Sequence, residues 1–290
     1  MGSGRIVARL DNRAWVCGGG PMSGDPTEKK EVQREEEAQT TGQLRTVVWF
    51  SAGAASAIAA KIVLAENPTN VVLAYTDTGS EHLDNRRFIR DCEDWFGAPV
   101  VRLRSAKYVD TWQVWTERRY LVGPSGALCT AELKKKPRFA FERPDDTQVF
   151  GYTAEEQRRA DRFREQNPDV TLRTPLIERG LTKGDCLALI DRAGIELPAM
   201  YRLGYRNNNC IGCVKGGRGY WSKIARDFPA VYARMGDLER HLGHTIFRTA
   251  DGRPDWLDEM DTTRWHASDD PDFECSLLCH ATEQALGVAR

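Results

Sequence analysis

The chain has 290 residues and a formal net charge of −1, which gives room for one large domain or a domain with an extension and no global basic field for nucleic acid. Apolar residues make up 41% and charged residues 29%, an ordinary balance for a soluble globular protein, and no apolar run reaches the length of a membrane span. Arg5, Arg9 and Asp11 interrupt any apolar stretch near the start, so no signal peptide is read there and the chain reads as cytoplasmic. In a reducing compartment its eight cysteines point to metal or redox chemistry rather than structural disulfides.

Residues 1–43 read as a weakly ordered tail: CGGGPMSGDP is turn-rich, EKKEVQREEEAQ is a charge run with no apolar stripe, and Cys17 is a free thiol. From 44 to 204 strands and helices alternate. TVVWF (46–50) is a strand buried on both faces; the small residues SAGAAS follow, and then an Ala-rich helix over 55–66. NVVLAY (70–75) leads through TDTGSEH to a helix at about 83–96, and PVVRLR (99–104) leads to the helical VDTWQVWTERRYL. A helix spans 131–142 with Pro137 bending or splitting it. TQVFGY (147–152) precedes the charged helix AEEQRRADRFREQ, and a short strand TLRTPL precedes a helix over 183–193 capped by Gly194. This order predicts a doubly wound α/β fold, a mainly parallel sheet with helices on both faces. Residues 205–290 form an extension, mostly helical or irregular: a loop-like RNNNCIGCVKGGRGYW, a helical stretch over 221–242 and an irregular acidic end.

Ligands of such sheets bind at the carboxyl ends of the strands, where the loops 51–56, 77–81 and 152–157 would lie. A strand, a small-residue loop and a helix N-terminus present backbone N–H groups to an anion, and Ser51 and Ser56 add hydroxyls; a tight junction packed for its own sake is the other reading. Cys210 and Cys213 form a CxxC that suits two thiolates on one metal or cluster, or a redox dithiol. Cys129, just ahead of a helix, is either a buried small hydrophobe or a third ligand; Cys275 and Cys279 are candidates for a fourth ligand or a mobile nucleophile. Cys92 and Cys186 read as core residues. Asp77 and Glu81 suit Mg²⁺, a base or ribose, or helix capping, which is the common fate. Lys134, Lys135 and Lys136 form a run that ordinarily covers a solvated face, although one of them can reach an anionic ligand. Arg158, Arg159 and Arg162 pair on the surface with Glu155 or Glu165, or serve the ligand edge. Lys215 and Arg218 are candidate anion clamps, and Tyr220 and Trp221 either stack on a base or pack in a core.

Five segments in order, SAGAAS (51–56), YTDTGSEH (75–82), LCTAELKKKP (128–137), GYTAEE (151–156) and NNNCIGC (207–213), resemble the phosphoadenosine phosphosulfate (PAPS) reductase family of the adenine-nucleotide α-hydrolase-like superfamily, which also holds the PP-loop ATP pyrophosphatases. The resemblance implies an adenine nucleotide or sulfonucleotide held by Ser51, Ala52, Gly53, Ala54, Ala55 and Ser56, by Asp77, Thr78, Gly79 and Glu81, and by Gly151, Tyr152, Glu156 and Arg159, with Mg²⁺ as a further candidate. It implies catalytic roles for Cys275 and Lys134, and an iron–sulfur cluster of 4Fe–4S type on Cys129, Cys210 and Cys213, its fourth position being Cys275, Cys279 or open. The chain departs from the family pattern where Ala52 replaces a glycine, Ala55 an aspartate and Thr153 an arginine, and where ECSLLCH (274–280) matches the family's terminal segment in its first two residues only. Three activities follow as expectations. In the first, a thiolate attacks the sulfur of a sulfonucleotide and a thiol reductant releases sulfite. In the second, ATP activates a tRNA or DNA for thiolation from a three-cysteine cluster. In the third, the chain is an inactive nucleotide-binding module.

Overall fold

The computed structural model describes residues 44–66, 69–123 and 126–266. The tail expected over 1–43 and the candidate residues Cys275 and Cys279 lie outside them. Five strands, β1 (Thr46–Trp49), β2 (Val71–Thr76), β3 (Val100–Leu103), β4 (Thr147–Val149) and β5 (Leu172–Arg173), form one sheet in the order β3-β2-β1-β4-β5. Every pairing is parallel: Val48 lies opposite both Leu73 and Val149, and Tyr75 lies opposite Arg102. Because β1 pairs with β2 on one side and β4 on the other, the chain reverses its winding beside β1, and the carboxyl end of β1 opens at that switch point.

The alternation along β1 builds both layers. Val48 and Phe50 pack with Leu73, Tyr75 and Val149 beneath α1 (Ala54–Glu66) and α2 (Asn85–Phe96). Val47 and Trp49 pack on the opposite face with Ala74 and Phe150, covered by Phe141 of α4 (Lys136–Phe141) and by Ala160 and Phe163 of α5 (Gln157–Gln166). Each such buried side chain contributes roughly 1.5–3 kcal/mol by leaving water. Ala57, Ala59 and Ala60 of α1 are fully buried, and their small side chains let the helix lie close to the sheet. In α2, Phe88, Ile89, Cys92 and Phe96 form one buried stripe, and Gly97, at φ 69°, ends the helix by donating its N–H to Glu93. Between them in sequence order, α3 (Thr111–Arg118) follows β3 and is capped by Asp110, whose side chain accepts from the Gln113 amide. After β5 come α6 (Pro175–Glu178) and α7 (Lys183–Arg192), the latter opened by a Thr182–Asp185 capping box; Leu176, Cys186 and Ile190 of these helices join the α1 face of the core.

Beyond α8 (Ala199–Arg202) the strand–helix alternation ends. The expected helical stretch over 221–242 is two helices, α9 (Arg218–Asp227) and α10 (Pro229–Leu242). The break falls at Phe228 because Pro229 disfavours helical backbone in the residue before it and fits the first turn of the next helix. Trp221, Ile224 and Met235 from these helices share an apolar cluster with Val114 and Trp115 of α3 and with Cys129, Leu133 and Cys213. A short antiparallel hairpin, β6 (Phe247–Arg248) and β7 (Pro254–Asp255), follows, and then a single 3-10 turn over Leu257–Glu259. No helix among the described residues is long and apolar enough to cross a membrane.

Candidate functional site

The sequence after β1 forms an open loop before α1 begins at Ala54. The first amides of this 13-residue helix have no intrahelical acceptor, so the turn presents a partial positive charge. The Ser56 hydroxyl turns back into the loop, donating to the Gly53 carbonyl at 3.0 Å and accepting from the Ser51 amide at 3.0 Å. It shapes the loop, whereas Ser51 remains exposed. Ala52 adopts φ 56°, a left-handed backbone that costs a non-glycine residue energy. Its carbonyl is held by Asn208 Nδ2 at 2.7 Å, a contact that helps fix the strained turn. Gly151, just past β4, packs against the same turn so closely that a Cβ there would stand 2.8 Å from the backbone N and Cα of Ser56. Gly151→Ala must push α1 off the sheet edge; we expect a loss of roughly 1–3 kcal/mol in denaturant unfolding, with anion affinity falling in the same variant by calorimetry.

These elements border an open cleft of about 830 Å³, its mouth included. Its lining includes Ser51, Gly53, Ala55 and Ser56 from the loop, Tyr75 and Thr76 at the end of β2, Glu81, Lys134, and Gly151 and Tyr152 after β4. The remaining wall comes from further along the chain: Tyr201 of α8 and the run Asn207, Asn208, Asn209. Long-range bonds hold that wall in place. Asp84 accepts from the Ala199 amide at 2.8 Å, Arg87 donates to the Glu196 and Leu197 carbonyls, and Ile211 donates to the Ser80 carbonyl at 3.0 Å. Both amide hydrogens of Asn208 are used, on Ala52 and on Asn85 Oδ1, whereas its buried Oδ1 has no hydrogen-bond partner among the described residues.

Lys134 reaches the cleft through an irregular helix. The chain makes one helical turn over Leu128–Thr130, then a π-helical stretch over Ala131–Lys135, then α4 with Pro137 in its first turn. The expected helix is thus split before Pro137, and the wider turn changes which side chains face inward. Lys134 is 8% exposed and Lys135 fully buried, so the solvated-face reading of this run is wrong for both; Lys136 alone keeps its side chain half exposed and pairs with Glu132. Lys134 Nζ lies 4.0 Å from Glu81, whose carboxyl also accepts from the Tyr75 hydroxyl and from Asn85 Nδ2 at 3.0 Å. Burial pushes the Glu81 carboxyl above its usual range, and the Lys134 ammonium pulls it back. Burial and the Glu81 charge push the Tyr75 phenol far up, so it serves as a hydrogen donor.

Glu81 therefore does not cap α2, and neither does Asp77. Asp77 accepts from the Gly79 amide and pairs with Arg104 at 2.7 Å. Asp77 and Gly79 line a separate groove beside the cleft rather than the cleft itself. Thr78 is buried, with its hydroxyl 3.1 Å from Cys210 Sγ. Ala52 and Ala54 are buried behind the loop surface. The hydroxyl and amide of Thr153 are spent in a capping box with Glu156. Arg159 pairs with Glu156 and lies over the Tyr152 ring at 5.1 Å. Arg218 pairs with Asp255 and lies over Phe247, which ties α9 to the hairpin instead of clamping an anion. Trp221 is fully buried and Tyr220 nearly so; both are core residues.

The CxxC loop folds around the Tyr220 hydroxyl, which accepts from the Gly212 and Cys213 amides at 3.1 and 3.0 Å and donates to the Cys210 carbonyl at 3.1 Å. Cys129, Cys210 and Cys213 are all buried, and Cys129 and Cys213 share one apolar cluster. Among the described residues no group of three or more His, Cys, Asp or Glu side chains could hold a metal ion. Cys92 and Cys186 are core thiols, each pushed up to about 12 by burial.

The fold and cleft define an α/β protein with a small-residue loop at the switch point of a parallel sheet. No protein-family model matches the chain, and no curated protein matches it. Among solved structures, phosphoadenylyl-sulfate (PAPS) reductase from Candida auris, crystallised as a phosphate complex, is similar at a TM-score of 0.42 and 12% sequence identity, over 66% of this chain and 98% of that one.

Proposed function

We propose that the chain is an enzyme of the PAPS-reductase kind, binding an adenine nucleotide or sulfonucleotide in the cleft and acting on its sulfur. The observation that carries this reading is the convergence on one cleft of the loop 51–56, the buried Lys134 and the Asn207–Asn209 run that leads into the CxxC. In this reading the loop amides and Lys134 neutralise the phosphate, and Asn208 Oδ1 orients the ligand through one of its donors. A cysteine thiolate attacks the sulfonate sulfur: a sulfur–sulfur bond forms, the oxygen–sulfur bond breaks, and the nucleoside phosphate leaves. A thiol reductant then attacks the cysteine sulfur, forming a disulfide and releasing sulfite. Cys275, outside the described residues, is the proposed nucleophile.

The test is sulfite release from PAPS or adenosine 5′-phosphosulfate with a thiol donor. We expect release in the wild type and none in Cys275→Ser. Tight nucleotide binding without sulfite, or pyrophosphate release that depends on tRNA or DNA, would sink the reading. We further propose that Cys210 and Cys213 supply two thiolates of an iron–sulfur site; the third ligand expected from the sequence, Cys129, is not gathered with them into a group that could hold a metal, so the other ligands come from outside the described residues. Anaerobic purification should then give iron and sulfide that are lost in Cys210→Ser; an iron-free wild type after reconstitution ends that proposal.

A further inference from the structure

Beside the cleft, across the wall formed by Tyr75 and Glu81, lies a second groove at the carboxyl ends of β2 and β3. The two depressions share those two residues, so a group seated in the groove lies next to the cleft without entering it. Its floor is Tyr75 and Ile89, both buried. Its rim is cationic. Arg102 stands opposite Tyr75 in the strand register, Arg104 follows two residues on, and Arg86 comes from the first turn of α2. Arg104 is paired with Asp77. Arg86 and Arg102 are exposed, and neither has an ion-pair partner among the described residues. On the same helix Arg87, one residue along, is held by Asp84 and Asp91, whereas Arg90 is exposed and outside the groove lining. In a chain of net charge −1, two guanidinium groups left uncompensated at the rim of one groove are a local anion-binding feature.

We propose that this groove is a second anion subsite, which docks a phosphate ester while the cleft holds the nucleotide. The second half of the proposal rests on the nucleotide reading of the cleft; the subsite itself does not. A guanidinium fork matches the paired oxygens of a phosphate ester. The groove does not extend the nucleotide's own site, because an anionic arm reaching it from the cleft would have to pass the Glu81 carboxyl. Two sources offer the same chemistry, a phosphorylated small molecule and the backbone of a single-stranded oligonucleotide.

The experiment uses the full chain and the double variant Arg86→Gln/Arg102→Gln, whose two positions are exposed and outside the cleft. Three probes are titrated: a labelled single-stranded decanucleotide, ribose 5-phosphate and adenosine 5′-phosphosulfate. We expect at least one phosphate-ester probe to bind the wild type and to lose ten-fold or more in affinity in the double variant, with adenosine 5′-phosphosulfate affinity unchanged within two-fold. Whichever probe binds identifies the source. For the oligonucleotide, the slope of log K against log salt should shrink by about 1.4, since each neutralised phosphate of a single strand contributes about 0.7. Failure of both phosphate-ester probes to bind the wild type overturns the subsite, as does equal binding by the double variant. A parallel loss of adenosine 5′-phosphosulfate assigns the groove to the nucleotide and also overturns it. Arginine-dependent phosphate binding in a wild type that ignores adenosine 5′-phosphosulfate overturns the cleft reading and leaves the subsite standing.

Discussion

Lys134→Gln is expected to weaken binding of adenosine 5′-phosphosulfate by roughly 10- to 100-fold, measured by calorimetry on protein whose melting temperature is checked. Lys134 lines the cleft and is 8% exposed, so its charge would meet a ligand anion where little water competes. A charge-assisted hydrogen bond in such a place is worth roughly 1.5–3 kcal/mol, which is about one to two decades of affinity. Glutamine keeps a donor for Glu81 and removes the charge. There is a competing account: Lys134 could serve only to neutralise Glu81, 4.0 Å away, and binding would suffer because an unpaired carboxylate then faces the ligand. The double variant Glu81→Gln/Lys134→Gln separates the two. If Lys134 contacts the anion, removing both charges leaves binding weak; recovery to near the wild-type level would show that the lysine acts through Glu81.

What could be read in the sequence follows from how local the signal is. The β1 strand, the small-residue loop and the Ala-rich α1 announce themselves within 21 contiguous residues, Thr46–Glu66, and the structure keeps that order with α1 beginning one residue earlier than expected. The parallel sheet was legible for the same reason, because alternating strands and helices leave few other topologies. The lysine run was not. Three consecutive lysines on an ideal helix point in three directions, and the π-helical stretch ahead of Pro137, which the sequence does not announce, carries Lys134 and Lys135, both buried. Asp77 and Glu81 misled in another way. Residue type favoured capping, but their partners are Arg104, Tyr75 and Lys134, and Lys134 is supplied by a segment more than 50 residues away. The cleft wall from Tyr201 and Asn207–Asn209 was equally hidden. It depends on Asp84 and Arg87 gripping the chain at 196–199, bonds with sequence separations of 109 to 115 residues that leave no local pattern. The three asparagines ahead of the CxxC were visible as a loop, and their contact with the strained Ala52 carbonyl was not.

Glu239 should make the stability of the chain fall as pH rises from about 4.5 to 7. The residue sits in α10 with no exposed surface, accepting from the Ile246 amide at 2.7 Å and the Leu257 amide at 2.8 Å, so one carboxyl ties the hairpin and the following turn to the helix. Burial pushes it up to about 7, against the partial relief of those two amides. The sign follows from proton counts. Between the unfolded value of 4.5 and about 7 the folded chain holds a proton that the unfolded chain has lost. The stabilising contribution is therefore full below 4.5 and is gone above 7, with an upper size of roughly 3 kcal/mol at 1.36 kcal/mol per unit. Carboxylates held low by arginines, such as Glu66 and Asp84, act in the opposite direction at lower pH, so the wild-type curve alone is ambiguous. The decisive quantity is the difference in unfolding free energy between wild type and Glu239→Gln. Glutamine cannot ionise, so this difference should shift against the wild type by about 2–3 kcal/mol as pH climbs from 4.5 to 8. Glu239→Ala removes both acceptors and should cost roughly 2–5 kcal/mol at acid pH, where the native carboxyl is neutral. A difference curve that is flat across this range would mean that Glu239 titrates near an ordinary carboxyl and that its two amide bonds offset the burial completely.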